Sequence, residues 1–374
     1  MRAAMLYGFG DLRVEEVPDP VPGPGEVVID VACVQPSVTE CMVIAGDDVA
    51  LHDAVARRLA NGPLPYGGHE FAGIVTSLGE SVTDLALGDP VTAVETITCG
   101  ACAACRRDRP DACIRPQYIG FTRPGAFAER LVVPRRAVVT VPRGLSASAV
   151  AAVQPLAGAV HGHALADVRP GESVLVLGAG VMGLLHLQVA RRGSAGTVAV
   201  TGRSASKLDL ARRFGADHVW DASGTDIVAA AKEATDGVGF DVVVEAAGGS
   251  TAVGLAGTST LDLAARCARR GGRIVMVSVL DTAGMAPLGM LRGKSLALLH
   301  PPSGAGGYSP STTAFEHALR LVARGDVEVE PLVTHRVSGI GELPKAIEIT
   351  RDKRAYGAIN PAQVTALGAS AWPA

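Results

Sequence analysis

The stretch that decides the fold runs Val174-Leu-Val-Leu-Gly178-Ala-Gly180-Val-Met-Gly183 and continues into the mostly apolar segment 184–190. Four apolar residues favour a buried strand, and the glycines that follow have the spacing G-x-G-x-x-G. In such a turn the first glycine permits the sharp bend, the second lets the backbone approach a pyrophosphate, and the third lets the helix pack closely on the strand. The phosphates lie at the positive end of that helix. The pattern predicts a dinucleotide-binding turn whose contacts come from Gly178, Gly180, Val181, Met182 and Gly183.

The sequence around this turn alternates between apolar strands and amphipathic helices. It predicts strands at 197–200, 241–245 and 273–277, and helices at 207–214, 229–234 and 261–270. Continuous apolar strands between helices are typical of a parallel sheet that is covered on both faces. We therefore predict an α/β chain with a doubly wound Rossmann domain over residues 156–300. Residues 1–155 are predicted to be mostly β, with one short helix at 50–59, and residues 301–374 to return and complete that first domain.

Composition excludes several classes of partner. The 374 residues are 48% hydrophobic and 19% charged, with a formal net charge of −3. Such a net charge indicates no basic patch for nucleic acid, and aromatic residues at 4% leave few rings on which bases could stack. Three glycines and a histidine interrupt the most apolar stretch of the chain. The uninterrupted apolar parts are shorter than the roughly 20 residues of a membrane span. We expect a cytoplasmic protein that binds a small-molecule substrate and contacts neither nucleic acid nor membrane.

Four of the seven cysteines lie within fifteen residues, in the loop 95–115. Cys99, Cys102, Cys105 and Cys113 have the spacing C-x2-C-x2-C-x7-C. Four thiolates so close in sequence can surround a tetrahedral zinc ion, and four protein ligands leave no open position for a substrate. The spacing therefore predicts a structural zinc rather than disulfides.

Taken together, these motifs resemble the medium-chain dehydrogenase/reductase family, in its zinc-containing branch of alcohol, sorbitol and threonine dehydrogenases. The resemblance rests on the cysteine quartet, the glycine turn and several short segments along the chain. Those segments are Gly68-His-Glu70-Phe-Ala-Gly73, Gln154-Pro-Leu-Ala157, Val160-His161, Gly271-Gly-Arg-Ile-Val275 and Pro331-Leu-Val-Thr-His335. The family implies a GroES-like catalytic domain built from both chain ends, a Rossmann domain between them, and a homodimer or homotetramer.

The end of the second predicted Rossmann strand indicates which nicotinamide binds. An acidic residue there usually holds the ribose 2′-hydroxyl of NAD. This chain has instead Gly202, Arg203 and Ser204, with Lys207 close behind. A small residue beside cations and a hydroxyl suits a 2′-phosphate, so we predict NADPH. The alternative is that Arg203 and Lys207 are only solvated charges at the start of a helix.

The resemblance also implies a catalytic zinc held by a cysteine, by the histidine of G-H-E, and by a further cysteine or glutamate. Here Ser37 stands at the cysteine position, Thr39 at the conserved Thr/Ser position, and Gln154 where a glutamate is expected. His69 and Glu70 remain as possible residual ligands. A hydroxyl and an amide are poor zinc ligands, so we expect the catalytic zinc to be lost or weakened. Alternatively, Cys33, Cys41, or His52 with Asp53 could replace the missing ligands.

A site without that metal needs a proton from the protein to complete hydride transfer. Our first hypothesis is an NADPH-dependent reductase that reduces a C=C bond of a small, hydroxylated metabolite, with Ser37, Thr39, His69, Glu70 and Gln154 as the catalytic candidates. The second is a zinc-dependent alcohol, polyol or cyclitol dehydrogenase. The third is a protein that binds NADPH without catalysing a reaction.

Overall fold

The computed structural model describes residues 1–49, 51–248, 259–278, 286–301 and 313–373. The chain divides into two compact units, the first formed by Met1–Ala157 with Ala305–Ala374 and the second by Gly158–Gly304. The predicted helix at 50–59 is observed as His52–Leu59, and Ala50 lies outside the described residues.

The first unit is mostly β. Up to residue 151 its elements are β1 (Arg2–Gly8), β2 (Asp11–Glu16), β3 (Glu26–Gln35), α1 (Val38–Ala45), α2 (His52–Leu59), β4 (Leu64–Pro65), β5 (Glu70–Leu78), β6 (Pro90–Ala93), β7 (Thr96–Ile97), β8 (Gln117–Tyr118), β9 (Arg130–Pro134), β10 (Val138–Thr140) and α3 (Ala147–Ala151). Its largest sheet has the order β10-β6-β5-β3, and β9 also pairs with β3. Strands β3 and β5 run antiparallel, and this register sets Gln35 opposite Glu70. Two polar residues are thereby placed side by side where the two strands meet.

The second unit alternates strand and helix, as the sequence predicts. Helix α4 (Val153–Ala166) leads into it, and its elements are β11 (Ser173–Leu177), α5 (Val181–Arg192), β12 (Thr197–Gly202), α6 (Ala205–Arg213), β13 (His218–Asp221), α7 (Ile227–Glu233), β14 (Phe240–Glu245), α8 (Ser259–Cys267), β15 (Ala268–Met276), α9 (Leu288–Lys294) and β16 (Ala297–Leu299). The sheet order is β13-β12-β11-β14-β15-β16, and every described pairing is parallel. The apolar residues of the central strands are buried. The α/β fold class with a doubly wound sheet is confirmed.

One predicted boundary in this sheet is wrong. The sequence places a helix at 261–270 and a strand from residue 273, but α8 ends at Cys267 and β15 begins at Ala268. Ala268 pairs with Phe240 of β14, and the Arg269 side chain donates to Asp241 at 2.6 Å. Gly271 has φ +65°, so the Gly-Gly pair forms an irregularity inside the strand rather than the end of the helix.

The remaining elements return to the first unit. They are α10 (Thr313–Ala323), β17 (Arg336–Ser338), α11 (Leu343–Arg351), α12 (Lys353–Tyr356) and β18 (Gln363–Thr365). Strand β18 pairs with β3, which extends the sheet to β10-β6-β5-β3-β18-β17. Residues from both ends of the chain therefore share one sheet. In the described ranges, no helix has the length and apolar character needed to cross a membrane.

Candidate active site and metal sites

The cysteine quartet lies in the loop between β7 and β8. The four Sγ atoms of Cys99, Cys102, Cys105 and Cys113 all lie within 4.8 Å of one another. Backbone N–H groups point at the sulfurs, with Cys102 N donating to Cys99 Sγ at 3.3 Å. The N–H of Cys105 lowers the pKa of the Cys102 thiol to about 6, because a hydrogen bond to the thiolate favours the charged form. Burial raises the pKa of the Cys105 thiol to about 11, so that sulfur binds a metal only by releasing its proton. Four converging sulfurs with backbone donors fit one tetrahedral zinc with no open position.

The glycine turn has the conformation that its spacing predicts. Gly178 has φ +105°, a conformation that favours glycine. At Gly183 a Cβ atom would lie 1.8 Å from the carbonyl oxygen of Gly178, so only glycine lets α5 start this close to β11. At Gly180 a Cβ would meet nothing within 4 Å. Gly180 is the N-cap of α5 and offers no side-chain cap, so the first N–H groups of that helix are available to an anion.

At the end of β12, two cations have no ion-pair partner among the described residues. Arg203 is exposed, and Lys207 is partly buried, which lowers the pKa of its ammonium group. Ser204 is the N-cap of α6, but its side chain makes no capping bond. Gly202 has a packing role that sequence reasoning missed, because a Cβ there would lie 2.8 Å from Ala179 Cβ in the glycine turn. The strand end therefore presents cations and a hydroxyl in place of the usual carboxylate.

A buried cluster in the first unit contains most of the predicted catalytic residues. Ser37 is the N-cap of α1, and its Oγ accepts from the backbone N–H of Glu40 at 3.0 Å. Glu40 makes the reciprocal hydrogen bond, in which its Oε2 accepts from Ser37 N at 2.8 Å. The other oxygen of Glu40, Oε1, accepts from Gly68 N at 2.6 Å and lies 2.8 Å from His69 Nδ1. This capping box therefore fixes both the start of α1 and the orientation of the His69 ring.

Two further buried carboxyl groups, those of Glu70 and Glu95, act electrostatically on the His69 ring. His69 Nε2 is 3.7 Å from Glu70 Oε1, and Glu70 Oε2 accepts a short hydrogen bond from Gln35 Nε2. Glu95, between β6 and β7, is also buried, and its Oε1 accepts from Gln154 Nε2 at 3.3 Å. Gln35 in turn is oriented by Asn360 and Gln363, whose side-chain N–H groups donate to its Oε1 at 2.9 and 3.0 Å. Each carboxyl group is thus held by one amide.

The protonation equilibria of the cluster are shifted by burial and by mutual charge. Burial alone would lower the pKa of His69, but the charges of Glu40, Glu70 and Glu95 and the hydrogen bond to Glu40 raise it to about 9. Burial raises the pKa of Glu70 and of Glu95 to about 7 in each case. No Lys or Arg of the described residues forms an ion pair with any of the three carboxylates. The cluster therefore has an excess of acidic groups over bases.

The catalytic zinc of the family does not fit the family's own positions here. The Ser37 hydroxyl is used in the helix cap, and the Gln154 amide donates to Glu95. His69 Nε2 lies 3.7 Å from Glu70 Oε1, and Glu95 Oε2 is buried without a hydrogen-bond partner, but among the described residues these atoms do not gather within the 4.8 Å that a shared metal ion needs. None of the three predicted substitutes joins a group of ligand atoms with His69 and Glu70 in the described residues. Cys41 is buried on α1. Cys33 lies beside Gln363, and His52 and Asp53 form a separate, partly exposed group with Asp48.

Comparison with known proteins gives a consistent result along the chain. The model of the alcohol dehydrogenase GroES-like domain matches residues 23–143, and the model of the zinc-binding dehydrogenase matches residues 181–324. L-threonine 3-dehydrogenase of Rhizobium etli (strain CIAT 652) is 32% identical over 330 residues, which cover 87% of this chain and 88% of that protein. The chain belongs to the zinc-containing medium-chain dehydrogenase/reductase family. It is therefore an oxidoreductase of the dehydrogenase type.

Other relatives of this family support the same assignment. L-threonine 3-dehydrogenase of Pyrococcus horikoshii is 29% identical over 92% of this chain and 93% of that protein. A protein of Sinorhizobium meliloti 1021, described as a zinc-binding dehydrogenase and solved with NADP bound, superposes with a TM-score of 0.82. It is 30% identical, and the match covers 97% of this chain and 98% of that one.

Sequence reasoning missed three members of the buried cluster. Glu40 had a readable signal, since Ser37-Val-Thr-Glu40 is a capping-box pattern. Glu95 stands four residues before Cys99, outside the cysteine spacing that identifies the quartet. Gln35 carries no local signal, because its role depends on the register of β3 against β5. Of the predicted residues, Thr39 lies half-buried on the first turn of α1 with no described side-chain hydrogen bond.

Proposed function

We propose that the protein is an NADP(H)-dependent dehydrogenase that interconverts a secondary alcohol and a ketone in a small polar substrate. The observation that carries the cofactor assignment is the pair of unpaired cations, Arg203 and Lys207, at the strand end where an NAD-binding protein has a carboxylate. The bound NADP of the Sinorhizobium meliloti relative supports the same cofactor. The similarity to two L-threonine 3-dehydrogenases supports the alcohol–ketone reaction.

The cofactor assignment is tested by the variant Arg203→Ala. A charge-assisted hydrogen bond contributes roughly 1.5–3 kcal/mol, which corresponds to a tenfold or larger change in affinity. We expect the KM for NADPH to rise at least about tenfold while the KM for NADH stays the same. Arg212→Ala, at the other end of α6, is the matched control, since Arg212 pairs with Asp209. An unchanged ratio of NADPH to NADH efficiency in the Arg203 variant would refute the assignment.

For the reaction itself, the buried cluster holds the His69 ring and two carboxyl groups in fixed orientations and excludes water from them. Glu40 fixes the His69 ring through Nδ1, and Gln35 and Gln154 each hold one carboxylate. A divalent cation bound there would polarise the substrate oxygen as a Lewis acid. Thr39, with its free hydroxyl one residue before Glu40, is the candidate for passing a proton between the reacting oxygen and solvent.

The reaction class is tested by following hydride from NADPH deuterated at C4. The substrate panel contains L-threonine, other hydroxylated amino acids, polyols, their ketone forms and α,β-unsaturated carbonyl compounds. We expect deuterium on a carbon that bears oxygen. Deuterium on a carbon β to a carbonyl would reject the alcohol–ketone proposal. NADPH binding without any turnover would indicate a protein that only binds the cofactor.

Reduction of a C=C bond is the second candidate, and one observation favours it. The family's thiolate and second anionic ligand are replaced by Ser37 and Gln154, and neither side chain is free to act as an anion. If no metal binds near His69, protonation by a protein group is needed, and alkene reduction requires such a proton. The same labelling experiment separates this candidate from the first.

A further inference from the structure

Strand β14 has a carboxylate near each of its ends. Near the start of the strand, Asp241 Oδ2 accepts from Ser173 N at 2.8 Å and Asp241 Oδ1 accepts from Arg269 Nε at 2.6 Å. This carboxylate therefore ties β14 to both of its neighbours, β11 and β15, at the amino ends of the strands. Glu245 is the last residue of β14 and is fully buried. A buried carboxylate is costly unless its oxygens are hydrogen-bonded, so the partners of Glu245 indicate its role.

The described partners of the Glu245 side chain lie at the carboxyl end of the sheet. Its Oε1 accepts from the backbone N–H groups of Ala247 at 3.0 Å and Gly248 at 2.6 Å, in the loop that leaves β14. Its Oε2 accepts from the hydroxyl of Ser278, which lies just beyond the end of β15. No Lys or Arg of the described residues forms an ion pair with Glu245. One side chain thus fixes the loop after β14 and the segment after β15 relative to each other.

The loop that Glu245 holds also packs against the glycine turn. In the sheet Glu245 pairs with Leu177, the last residue of β11, and Ala246 N donates to Leu177 O at 2.9 Å. A Cβ atom on Gly178 would lie 2.7 Å from Ala246 O and 2.9 Å from Ala247 Cβ. The loop after β14 is therefore in direct contact with the turn that is predicted to approach the pyrophosphate.

The position of this loop in the sheet indicates which part of a dinucleotide it meets. The order β13-β12-β11-β14-β15-β16 places the two halves of a Rossmann sheet on either side of the β11–β14 junction, and a dinucleotide lies across that junction at the carboxyl ends of the strands. Arg203 and Lys207 follow β12 and so belong to the half that binds the adenosine. Glu245 and Ser278 belong to the other half, which meets the nicotinamide end.

We propose that Glu245 is a positioning residue for the nicotinamide half of the cofactor. Its carboxylate accepts from the N–H groups of Ala247 and Gly248 and from the hydroxyl of Ser278, and so holds the two segments that border this half in one geometry before the cofactor binds. A preorganised site avoids the entropic cost of ordering these segments during binding. The inference rests on the dinucleotide cofactor of the proposed function, but its test does not depend on turnover.

The test compares the dissociation constants of NADPH and of 2′,5′-ADP, which is the adenosine half with its 2′-phosphate, measured on the full chain by isothermal titration calorimetry. In Glu245→Ala we expect the constant for NADPH to rise at least about tenfold, because the loop N–H groups lose their acceptor and must be ordered on binding. The constant for 2′,5′-ADP should stay within about twofold, which also shows that the second unit is folded. Glu245→Gln keeps an acceptor oxygen for both N–H groups, so it should bind both ligands nearly as the wild type does.

Asp241→Ala is the matched control, because it removes a carboxylate from the same strand at the edge away from the ligand. We expect it to lower the stability of the protein and to leave the ratio of the two dissociation constants unchanged. Ser278→Ala removes only the hydroxyl, so it carries the test if Glu245→Ala does not fold. In that variant the constant for NADPH alone should rise about threefold.

Equal weakening of both ligands in Glu245→Ala, unchanged NADPH binding in that variant or in Ser278→Ala, or a changed ratio in Asp241→Ala would each overturn the proposal. A failure of the cofactor assignment gives a different result, since the wild type would then bind NADH in preference to NADPH. In that case NADH and AMP replace NADPH and 2′,5′-ADP as the pair of ligands, and a selective loss of the dinucleotide in Glu245→Ala is still expected.

Discussion

The cysteine quartet and the His69 cluster are built in opposite ways within the same unit. The quartet collects four identical ligands from residues 99–113, in a loop where three of its four cysteines are partly exposed. The His69 cluster collects different side chains from β3, α1, β5, the β6–β7 link and α4, and all of them are buried. A short loop can place its ligands by local turns, whereas the cluster exists only when several distant segments have folded. The two sites should therefore respond differently to mutation and to pH.

The largest expected effect comes from the quartet. Cys105→Ser removes one thiolate, and three sulfurs hold zinc much less tightly than four. Because metal binding contributes directly to folding, we expect loss of the quartet zinc and of on the order of 4 kcal/mol of stability. Zinc content and urea unfolding are the measurements. Cys267→Ala in the second unit is the control and should keep its zinc. Full zinc retention in Cys105→Ser would show that the quartet is not the structural site.

A smaller but still large effect is expected at the centre of the His69 cluster. Glu40→Gln leaves the shape of the side chain nearly unchanged but removes the buried charge that pairs with His69 at 2.8 Å. Breaking such a pair destabilises a protein by about 3 kcal/mol. Urea unfolding with Glu80→Gln as the matched control measures it. The quartet should keep its zinc in this variant, which separates damage at one site from damage at the other.

If Glu40→Gln and the wild type unfold at the same urea concentration, the Glu40 charge does not stabilise the His69 cluster. The His69 ring would then be held by its packing against Phe121, whose ring centroid lies 5.4 Å away, rather than by the carboxylate.

The smallest expected effect concerns how stability depends on pH. The His69 cluster and the quartet should change the stability of the protein in opposite directions as pH rises. The relevant protein carries one equivalent of zinc, bound at the quartet. Its folded state has pKa values of about 7 for Glu70 and Glu95 and about 9 for His69. Because these values are raised, the folded state binds more protons than the unfolded one. Their contribution to stability is present at low pH and is lost as pH rises through 7 and then 9. The quartet behaves in the opposite way, because acid protonates its thiolates and releases zinc.

Urea unfolding at several values between pH 5 and pH 9 measures this slope. Glu70→Gln removes one of the titrating carboxyl groups, so its stability should fall less steeply between pH 5 and pH 7 than that of the wild type. Equal slopes in the two proteins would mean that Glu70 titrates in the folded state as it does in the unfolded chain.

The features that the sequence by itself determined depend on near neighbours. The glycine turn and the cysteine quartet each lie within one short segment, and each strand or helix of the second unit is read from its own stretch of residues, so local spacing is enough to predict them. The helix boundary at Cys267 could not be predicted, because Ala268 joins the sheet through pairing with a distant strand. A strand partner overrides local helix preference when the pairing satisfies the backbone.

Only the tertiary structure decided which groups surround His69. His69 and Glu70 were identified through a resemblance, but Gln35 reaches Glu70 through strand register, and Glu95 reaches Gln154 through packing of the β6–β7 link on α4. Each of these contacts joins residues that are more than thirty positions apart, and burial, which raises the pKa values of Glu70 and Glu95, is a property of the whole fold. A side chain's ability to act as an acid or to bind a metal depends on its surroundings, and those surroundings are assembled from separate segments.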